Sequence, residues 1–594
     1  MKRTPKGRLE LTWMGKDSAL IPAENGKYDY AWVEPYDPRA LEVKSIELVD
    51  TVGTTEGLNG ANDNLLIVGD SGDALRSLGT IPEYAEKYLG QVKLVYIDPP
   101  FNTEQTFEHY ADQLEHSVWL TMMRDRIRDI KPLLAPDASV WVHLDDAEVH
   151  RMRVLMDEEF GAECFIASVV WRSADTGNYD DSRFSNDHNT ILVYGLNPGW
   201  VANGLPRSAK QSRHYRNPDN DPRGPWFDGN PLGSPNPREN LMYDVVSPQG
   251  HSIPSPPHGW RWQKSTMDRM ISEGSIRFND AGTRIVYRTY LREQGDLPPS
   301  NLWDSVEETG SNRKAKNELK ALFGLPAKQV FDTPKPESLI KRILTIGTDE
   351  GDLVLDCFGG SGTTAAVAHK MGRRWATVEL QQTTVDRFLS PRLRKVVEGA
   401  DDGGVSQTVE RVPTKSEALP GGLSPQEAAD FATRLKKVAG DLVGLDAETI
   451  RILSQAVRTK NQTTTHWTGG GGFTIARMGP SMYDVDDTDG EVYLSAAATN
   501  GAWSKAVAGQ LKFTLTPMDP VFCGVRNRQR LAVIDGVADA TVVRTIVEHL
   551  GEKEKAVIVA KGILPEAEAL LADLSPGSRI KKAPTDMFPK GTVK

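Results

Sequence analysis

Two short stretches carry residues whose types and spacing suit chemistry. Residues 95–102 read VYIDPPFN. A short apolar run of β-formers stops at an acid, two prolines and an aromatic. Pro99 and Pro100 cannot donate to a sheet ladder, and they stiffen the backbone just past the strand end. The expected product is a rigid lip at the carboxyl end of a strand, where open α/β sheets bind ligands. On that lip, Asp98 and the Pro99 carbonyl would accept the N–H bonds of a flat base bearing an amino group. Phe101 would stack on its ring. Taken alone, the stretch also fits an ordinary strand exit with a proline stop.

The second stretch, residues 351–380, reads GDLVLDCFGGSGTTAAVAHKMGRRWATVEL. A buried strand runs into a tight turn at Gly359, Gly360 and Gly362. A helix starts at Thr363 and is ended by Gly372. The next strand closes at Glu379, about twenty residues past the glycine turn, a spacing that lets an acid accept ribose hydroxyls. The turn is GGSG rather than GxGxxG, and no lysine follows as in a phosphate loop. The reading is a nucleoside-type cofactor without a pyrophosphate, and S-adenosylmethionine fits it. If the two stretches face each other, a methyl sulfonium would point at an amino nitrogen, and placement and desolvation would supply most of the catalysis. Accepting both amino hydrogens at Asp98 and Pro99 would push the nitrogen towards tetrahedral geometry and free its lone pair. A paired base would first have to leave the duplex.

DPPF followed by FGGSG, in that order, resembles the β-class amino DNA methyltransferases. The chain looks most like the modification subunits of type III restriction systems. The likeness covers about residues 8–395, through LELTW, VGDSGDALRSL, DPPFNT, SNDHNTILVYG, KPESLIKRIL, LDCFGGSGTT and VEL. The resemblance implies that Asp98, Pro99, Pro100 and Phe101 are the catalytic tetrad. Phe358, Gly359, Gly360 and Gly362 would cradle the cofactor's methionine part, with Asp356, Ser361 and Thr363 beside them. Glu379 would take the ribose. Asp70, Lys335 and Pro336 would line the same pocket. Phe101 stands where tyrosine is commoner, and Gly360 where alanine is usual. Asp at the tetrad's first position implies adenine N6 as the target. Double-stranded DNA is the implied partner, with a homodimer and a restriction or defence subunit as further candidates. The implied location is the prokaryotic cytoplasm, on the nucleoid.

Positioning these residues requires an α/β fold with a mostly parallel, Rossmann-like sheet, its catalytic half preceding its cofactor half in the chain. Strands alternate with helices across residues 63–197 and again across 331–398, which fits a sheet covered on both faces. Residues 1–62 read as an N-terminal extension laid over the larger domain. The polar stretch 102–116 suits a loop that covers a site. The arginines of the amphipathic stretch 117–134 read as a solvated face. Residues 198–330 are dense in proline, glycine, tryptophan and arginine, and regular helices disappear from the pattern. Arg213, Arg216, Arg261 and Lys264, among Tyr215, Trp226, Trp260 and Trp262, suit phosphate and base contacts, and this insert matches the place of a target-recognition segment. Residues 399–424 read as a linker, with 469–472 further on as a flexible glycine loop. Residues 425–594 read as a separate α+β domain for dimerisation or partner binding.

Composition sets outer bounds. The chain has 594 residues, enough for several domains. Hydrophobic content of 39% and charged content of 25% are globular. The net charge of −11 argues against a DNA coat but not against a local basic groove. Three scattered cysteines suggest neither a disulfide framework nor a metal site, and they suit a reducing cytosol. No apolar leader opens the sequence, and no run reaches membrane-spanning length. Three rival readings stay open: a cytosine-N4 methyltransferase of the same fold, an inactive DNA-recognition subunit of a defence complex, and methylation of RNA or of a protein glutamine amide.

Overall fold

The structure, a computed structural model, describes residues 10–23, 28–57, 60–102, 114–176, 184–229, 232–415, 419–438, 446–486 and 491–588. The chain divides into two compact units. One comprises residues 1–201 and 300–594, the other residues 202–299. Among the described residues no helix is long and apolar enough to cross a membrane.

A ten-stranded sheet organises the first unit. In chain order its strands are β1 Ile46–Gly53, β2 Leu65–Val68, β3 Val92–Ile97, β4 Leu134–Leu144, β5 Phe165–Arg172, β6 His188–Gly195, β7 Leu302–Trp303, β8 Leu353–Asp356, β9 Arg374–Glu379 and β10 Gly472–Met478. Their spatial order is β7-β5-β6-β4-β3-β8-β9-β2-β10-β1. The six strands from β4 to β10 in that order are mutually parallel. Strand β6 runs antiparallel to β4 and β5, and β1 antiparallel to β10. The inner strands are apolar on both faces because helices cover both: Leu94, Val95, Val354 and Leu355 are fully buried.

From β3 the chain steps to β4 on one side, while β8 lies on the other side of β3 and steps away to β9. The strand order therefore reverses between β3 and β8. Their carboxyl ends flank the crevice where such sheets place ligands.

Several boundaries differ from the sequence reading, each for a physical reason. The N-terminal segment is no mere overlay, since β1 is an edge strand of the sheet. The C-terminal region is not separate from it either. Strand β10 pairs with β2 on one side and β1 on the other, and buried Asn64 fastens it by donating to the Gly472 carbonyl at 2.9 Å and accepting from the Trp375 N–H at 3.0 Å. Period-two patterns mark strands but not which sheet they join. The glycine run is packed: the Gly470 N–H donates to the Val397 carbonyl at 2.8 Å, and its own carbonyl lies 2.9 Å from His369 Nε2. The expected linker contains a strand, Gln407–Pro413, paired with Thr459–Thr465. Residues 300–330 belong to the first unit through β7 and the helix Asn312–Phe323, capped by Ser311. The rest of the C-terminal region builds a five-stranded sheet whose three longer strands, Gln529–Ala538, Lys555–Ile563 and Arg579–Lys582, run parallel.

The arginines of the helix His116–Ile130 are not all solvated. Arg124 and Arg126 are buried. Arg124 donates to the Ser18 carbonyl and pairs with Asp125, and Arg126 pairs with Asp70 at 2.6 Å. A guanidinium with a stem of three methylenes can be drawn inward when a carboxylate waits there, which local polarity does not reveal.

The second unit carries a three-stranded antiparallel sheet, Ile276–Phe278, Ile285–Tyr290 and Trp226–Asp228, and a helix, Lys264–Ser272. Trp260 is in its core. Asp221 takes Arg288 at 2.9 Å, Arg223 at 3.0 Å and the Tyr290 hydroxyl at 2.7 Å.

The likeness to known motifs stops near residue 395, yet the fold needs the C-terminal region. A chain ended at residue 424 would leave the buried β2 with an open edge and β1 with no partner. The expected outcome is loss of a single cooperative melting transition and aggregation, read by calorimetry and light scattering. A soluble, cooperatively melting truncation would show that β10 is dispensable.

Candidate active site

The lip after β3 and the glycine turn after β8 border one cavity of about 250 Å³. Asp98, Pro99, Pro100 and Phe101 line one end. Asp356, Phe358, Gly359, Gly360, Ser361, Thr363 and Glu379 line the other, and Lys335 also faces the cavity. The cavity lining thus brings together twelve of the fifteen sequence-predicted catalytic and cofactor residues, Asp70, Pro336 and Gly362 being the exceptions. The ladder between β3 and β8, with Val95 opposite Leu355, sets the two ends side by side.

 Gly362 is the left-handed cap, φ 77°, of the helix Thr363–Lys370.

At the lip, Asp98 Oδ2 accepts from Lys335 Nζ at 2.6 Å. The same ammonium lies 5.0 Å from the Phe101 ring centroid, within reach of its negative face. Phe101 stacks on the imidazole of His143, centroids 5.8 Å apart and planes 26° apart. Burial, and next the Lys335 charge, hold His143 well below its ordinary pKa, so it stays neutral. The Pro100 carbonyl accepts from Trp119 Nε1 at 2.8 Å. The expected covering loop lies largely outside the described residues. Its two ends are held by Asn102, which donates to Glu148 at 2.8 Å and accepts from the Leu114 N–H at 2.8 Å.

At the turn, Glu379 accepts from the Gly360 N–H at 2.8 Å and the Gln381 N–H at 2.9 Å. Burial lifts its carboxyl to about 7 despite those N–H groups. Burial likewise lifts Asp356 to about 7, with the charges of Asp98 and Glu379 adding to the rise. Tyr28 stacks on Phe358, centroids 6.4 Å apart.

Beneath the turn lies a buried ion cluster. Glu337 accepts from Lys370 at 2.9 Å and from Arg392 at 2.8 Å, and Lys370 also meets Asp401 at 2.8 Å. Arg392 donates to Thr363 Oγ1 at 2.8 Å. Glu337 follows Lys335 by two residues, so the cluster ties the lysine's segment to the glycine turn.

Two assignments need correction. Asp70 does not line the cavity. It caps the helix Ser71–Thr80, accepting from the Gly72 N–H at 2.8 Å, and it pairs with Arg126. Burial opposes its charge, but Arg126 and the helix N–H groups outweigh that and hold the carboxyl below its usual range. Pro336 is the N-cap of the helix Glu337–Gly347, and it is Thr333 and Pro334 that face the cavity beside Lys335. Arg213, Arg216, Arg261 and Lys264 are exposed on the second unit. Tyr215 and Trp260 there are buried and serve its packing.

The sequence reading also missed lining residues, among them Tyr28, Asp145, Asn189 and Phe331. Asp145 had a signal: it ends β4 as Asp98 ends β3. Asn189 stood inside a quoted motif with no role given. Tyr28 had none, because nothing local ties an N-terminal tyrosine to a turn more than three hundred residues later.

The sequence model of the DNA methylase family matches residues 92–389, half of the chain. The chain belongs to the DNA methylase family. The segment matched by that family spans both ends of the cavity. Among curated relatives, the chain is 28% identical over 370 residues to the type III restriction-modification enzyme StyLTI Mod subunit of Salmonella typhimurium, covering 56% of this chain and 54% of that one. It is 27% identical over 455 residues to the EcoP15I Mod subunit of Escherichia coli, covering 64% and 66%. The chain thus spans between about half and two thirds of the length of these relatives. Among solved structures it is similar to PvuII DNA methyltransferase (cytosine-N4-specific), with a TM-score of 0.32 and 16% identity over 59% of this chain and 89% of that one.

The turn gives a sharp contrast between neighbours. A Cβ on Gly359 would stand 2.6 Å from Thr377 Oγ1 and 2.9 Å from Leu389 Cδ1, both held in the core. At Gly360, φ 50°, a Cβ would meet Phe331 no closer than 3.4 Å. Gly360→Ala should therefore cost only the strain of a left-handed L-residue, about 1–2 kcal/mol, and leave ligand binding intact. Gly359→Ala should force the turn to shift and lower the melting temperature more. Equal melting temperatures for the two variants would contradict this account.

Proposed function

We propose that the protein transfers a methyl group from S-adenosylmethionine to the N6 amino group of adenine in a base flipped out of double-stranded DNA. The observation that carries this reading is the shared cavity: the DPPF lip and the FGGSG turn border the same space. Membership of the DNA methylase family and the Mod-subunit relatives support it. They also support a restriction-modification setting with a further subunit. A homodimer, and a location in the cytoplasm on the nucleoid, complete the proposal.

The residues present fit the cofactor. The missing side chain of Gly360 leaves space beside Phe331 for its methionine part, and Phe358 and Ser361 line the same cavity. Glu379, with both oxygens on backbone N–H groups, is fixed where it can accept ribose hydroxyls. When bound, S-adenosylmethionine supplies an electrophilic methyl group. Asp98 accepts an amino N–H, orients the nitrogen and frees its lone pair. Phe101 holds the base ring by stacking, its own plane fixed by His143. The lip excludes water from the reacting nitrogen, and placement of this kind is worth several kcal/mol of barrier. The exposed basic residues Arg213, Arg216, Arg261 and Lys264 contribute phosphate contacts.

Asp98→Ala should lower methyl transfer at least 100-fold while leaving cofactor affinity within a few-fold. The check is incorporation of labelled methyl groups into DNA, with digestion to identify the nucleoside. N6-methyladenine is the expected product. N4-methylcytosine would move the assignment to the other base, and transfer unchanged in the variant would defeat the mechanism.

Cofactor binding should depend on pH. Asp356 and Glu379, lifted to about 7 by burial, hold protons below that pH. A ligand bearing cationic and hydroxyl groups favours their ionised forms, so binding must expel those protons. Affinity should rise from pH 6 to pH 8, by up to about tenfold per unit for each proton released. Calorimetric titration in buffers of different ionisation enthalpy measures both quantities. Flat affinity with no proton release would contradict the assignment.

A further inference from the structure

The lip and the turn hold three carboxyls at the ends of adjacent strands: Asp98 after β3, Asp356 on β8 and Glu379 on β9. Two of them rise towards neutrality through burial. Asp98 stands beside them with a cation of its own. Lys335 Nζ is 2.6 Å from Asp98 Oδ2, its side chain is 6% exposed, and its charge also lies over the Phe101 ring at 5.0 Å. Pro334 and Pro336 flank it and stiffen its backbone. Glu337, locked to Lys370 and Arg392, anchors the same segment from the other side. This lysine is therefore placed by the fold and not by chance contact at a surface.

Resting on the methyl-transfer reading, we infer that Lys335 is the positioning residue of the transfer step: its ammonium fixes the Asp98 carboxylate as a charged hydrogen-bond acceptor for the amino group. Without that cation, Asp98 would keep the negative neighbour Asp356, and a like charge nearby favours a bound proton. A protonated Asp98 would donate where the reaction needs an acceptor. None of Tyr96, His143 and Asp145 can replace Lys335. Tyr96, one turn of the pleat earlier, is held far above its ordinary pKa by burial and by Asp98 itself. His143 is neutral, and Asp145 carries the wrong sign. As the nitrogen–methyl bond forms, the cofactor's sulfur–methyl bond breaks, S-adenosylhomocysteine leaves and the amino proton passes to solvent water; the carboxylate orients the amino group. The assignment differs from the sequence expectation, in which Lys335 only lined the cofactor's pocket.

The test compares Lys335→Gln, which removes the charge, with Lys335→Arg, which keeps it. The first measurement is the pH profile of kcat with saturating S-adenosylmethionine and DNA. For Lys335→Gln, kcat should fall about 10- to 100-fold at pH 7, and the acid limb of the profile should move up by one pH unit or more. Lys335→Arg should keep the wild-type limb and recover most of the rate. Cofactor affinity, measured by calorimetry, should change less than about threefold in both. The second measurement needs no turnover: carbodiimide labelling of Asp98, which reacts through the protonated carboxyl, followed by mass spectrometry across pH. Labelling should extend to higher pH by the same interval in Lys335→Gln only. An unmoved acid limb together with unmoved labelling overturns the inference. So does a loss of cofactor affinity as large as the loss of rate, which would make Lys335 a cofactor ligand. If wild-type protein transfers no methyl group to DNA, the functional proposal fails by itself, and the labelling arm still decides whether Lys335 controls Asp98.

Discussion

Everything at the candidate site depends on one parallel ladder. Strand β3 ends just before Asp98 and β8 ends at Asp356, and Leu94 and Val95 of the first pair with Val354 and Leu355 of the second. These side chains are fully buried, and a one-residue slip would turn every one of them to the opposite face of the sheet. Register is therefore fixed by the core. Because it is fixed, an acid, two prolines and an aromatic from one part of the chain meet a glycine turn from a segment some 260 residues later. The reversal of strand order at this ladder opens the crevice between them.

Burial at the crevice shapes its electrostatics. Taking a carboxylate out of water favours its protonated form unless a positive charge or hydrogen-bond donors compensate. Among the described residues, Asp356 and Glu379 have donors but no adjacent cation, and both rise to about 7. Asp70 has Arg126 and is held low. Glu337 has Lys370 and Arg392, and their charges overcome a heavy burial penalty and keep its carboxyl below the usual range. The same chemical group is thus a structural clamp in one place and a proton-binding group in another, according to which cation the fold supplies. A buried pair such as Glu337 with Lys370 contributes little net stability but is costly to break. That suits a cluster whose work is to hold the Lys335 segment against the glycine turn.

Much of this was legible in the sequence. DPPF and FGGSG each combine a buried β run with residues that cannot continue it, and both signals are local. The α/β class followed from alternating strand and helix patterns. The domain map was less legible. Strand β10 looks in sequence like any short apolar segment, and only its pairing with β2 and β1 assigns it to the central sheet. Arg126 looked solvated because polarity along a helix does not show that a carboxylate waits beneath it.

The sequence by itself determined where the backbone must stop, turn and stay apolar, since those properties belong to individual residues: the fixed φ of Pro99 and Pro100, the missing side chain of Gly359, the branched apolar residues of β3 and β8. Only the tertiary structure decided which charges meet. Asp70 was spent on Arg126 and a helix cap, whereas Lys335 was delivered to Asp98 across more than two hundred residues of chain. Coulomb interactions depend on distance in space and on the surrounding dielectric, and neither quantity is written in sequence order.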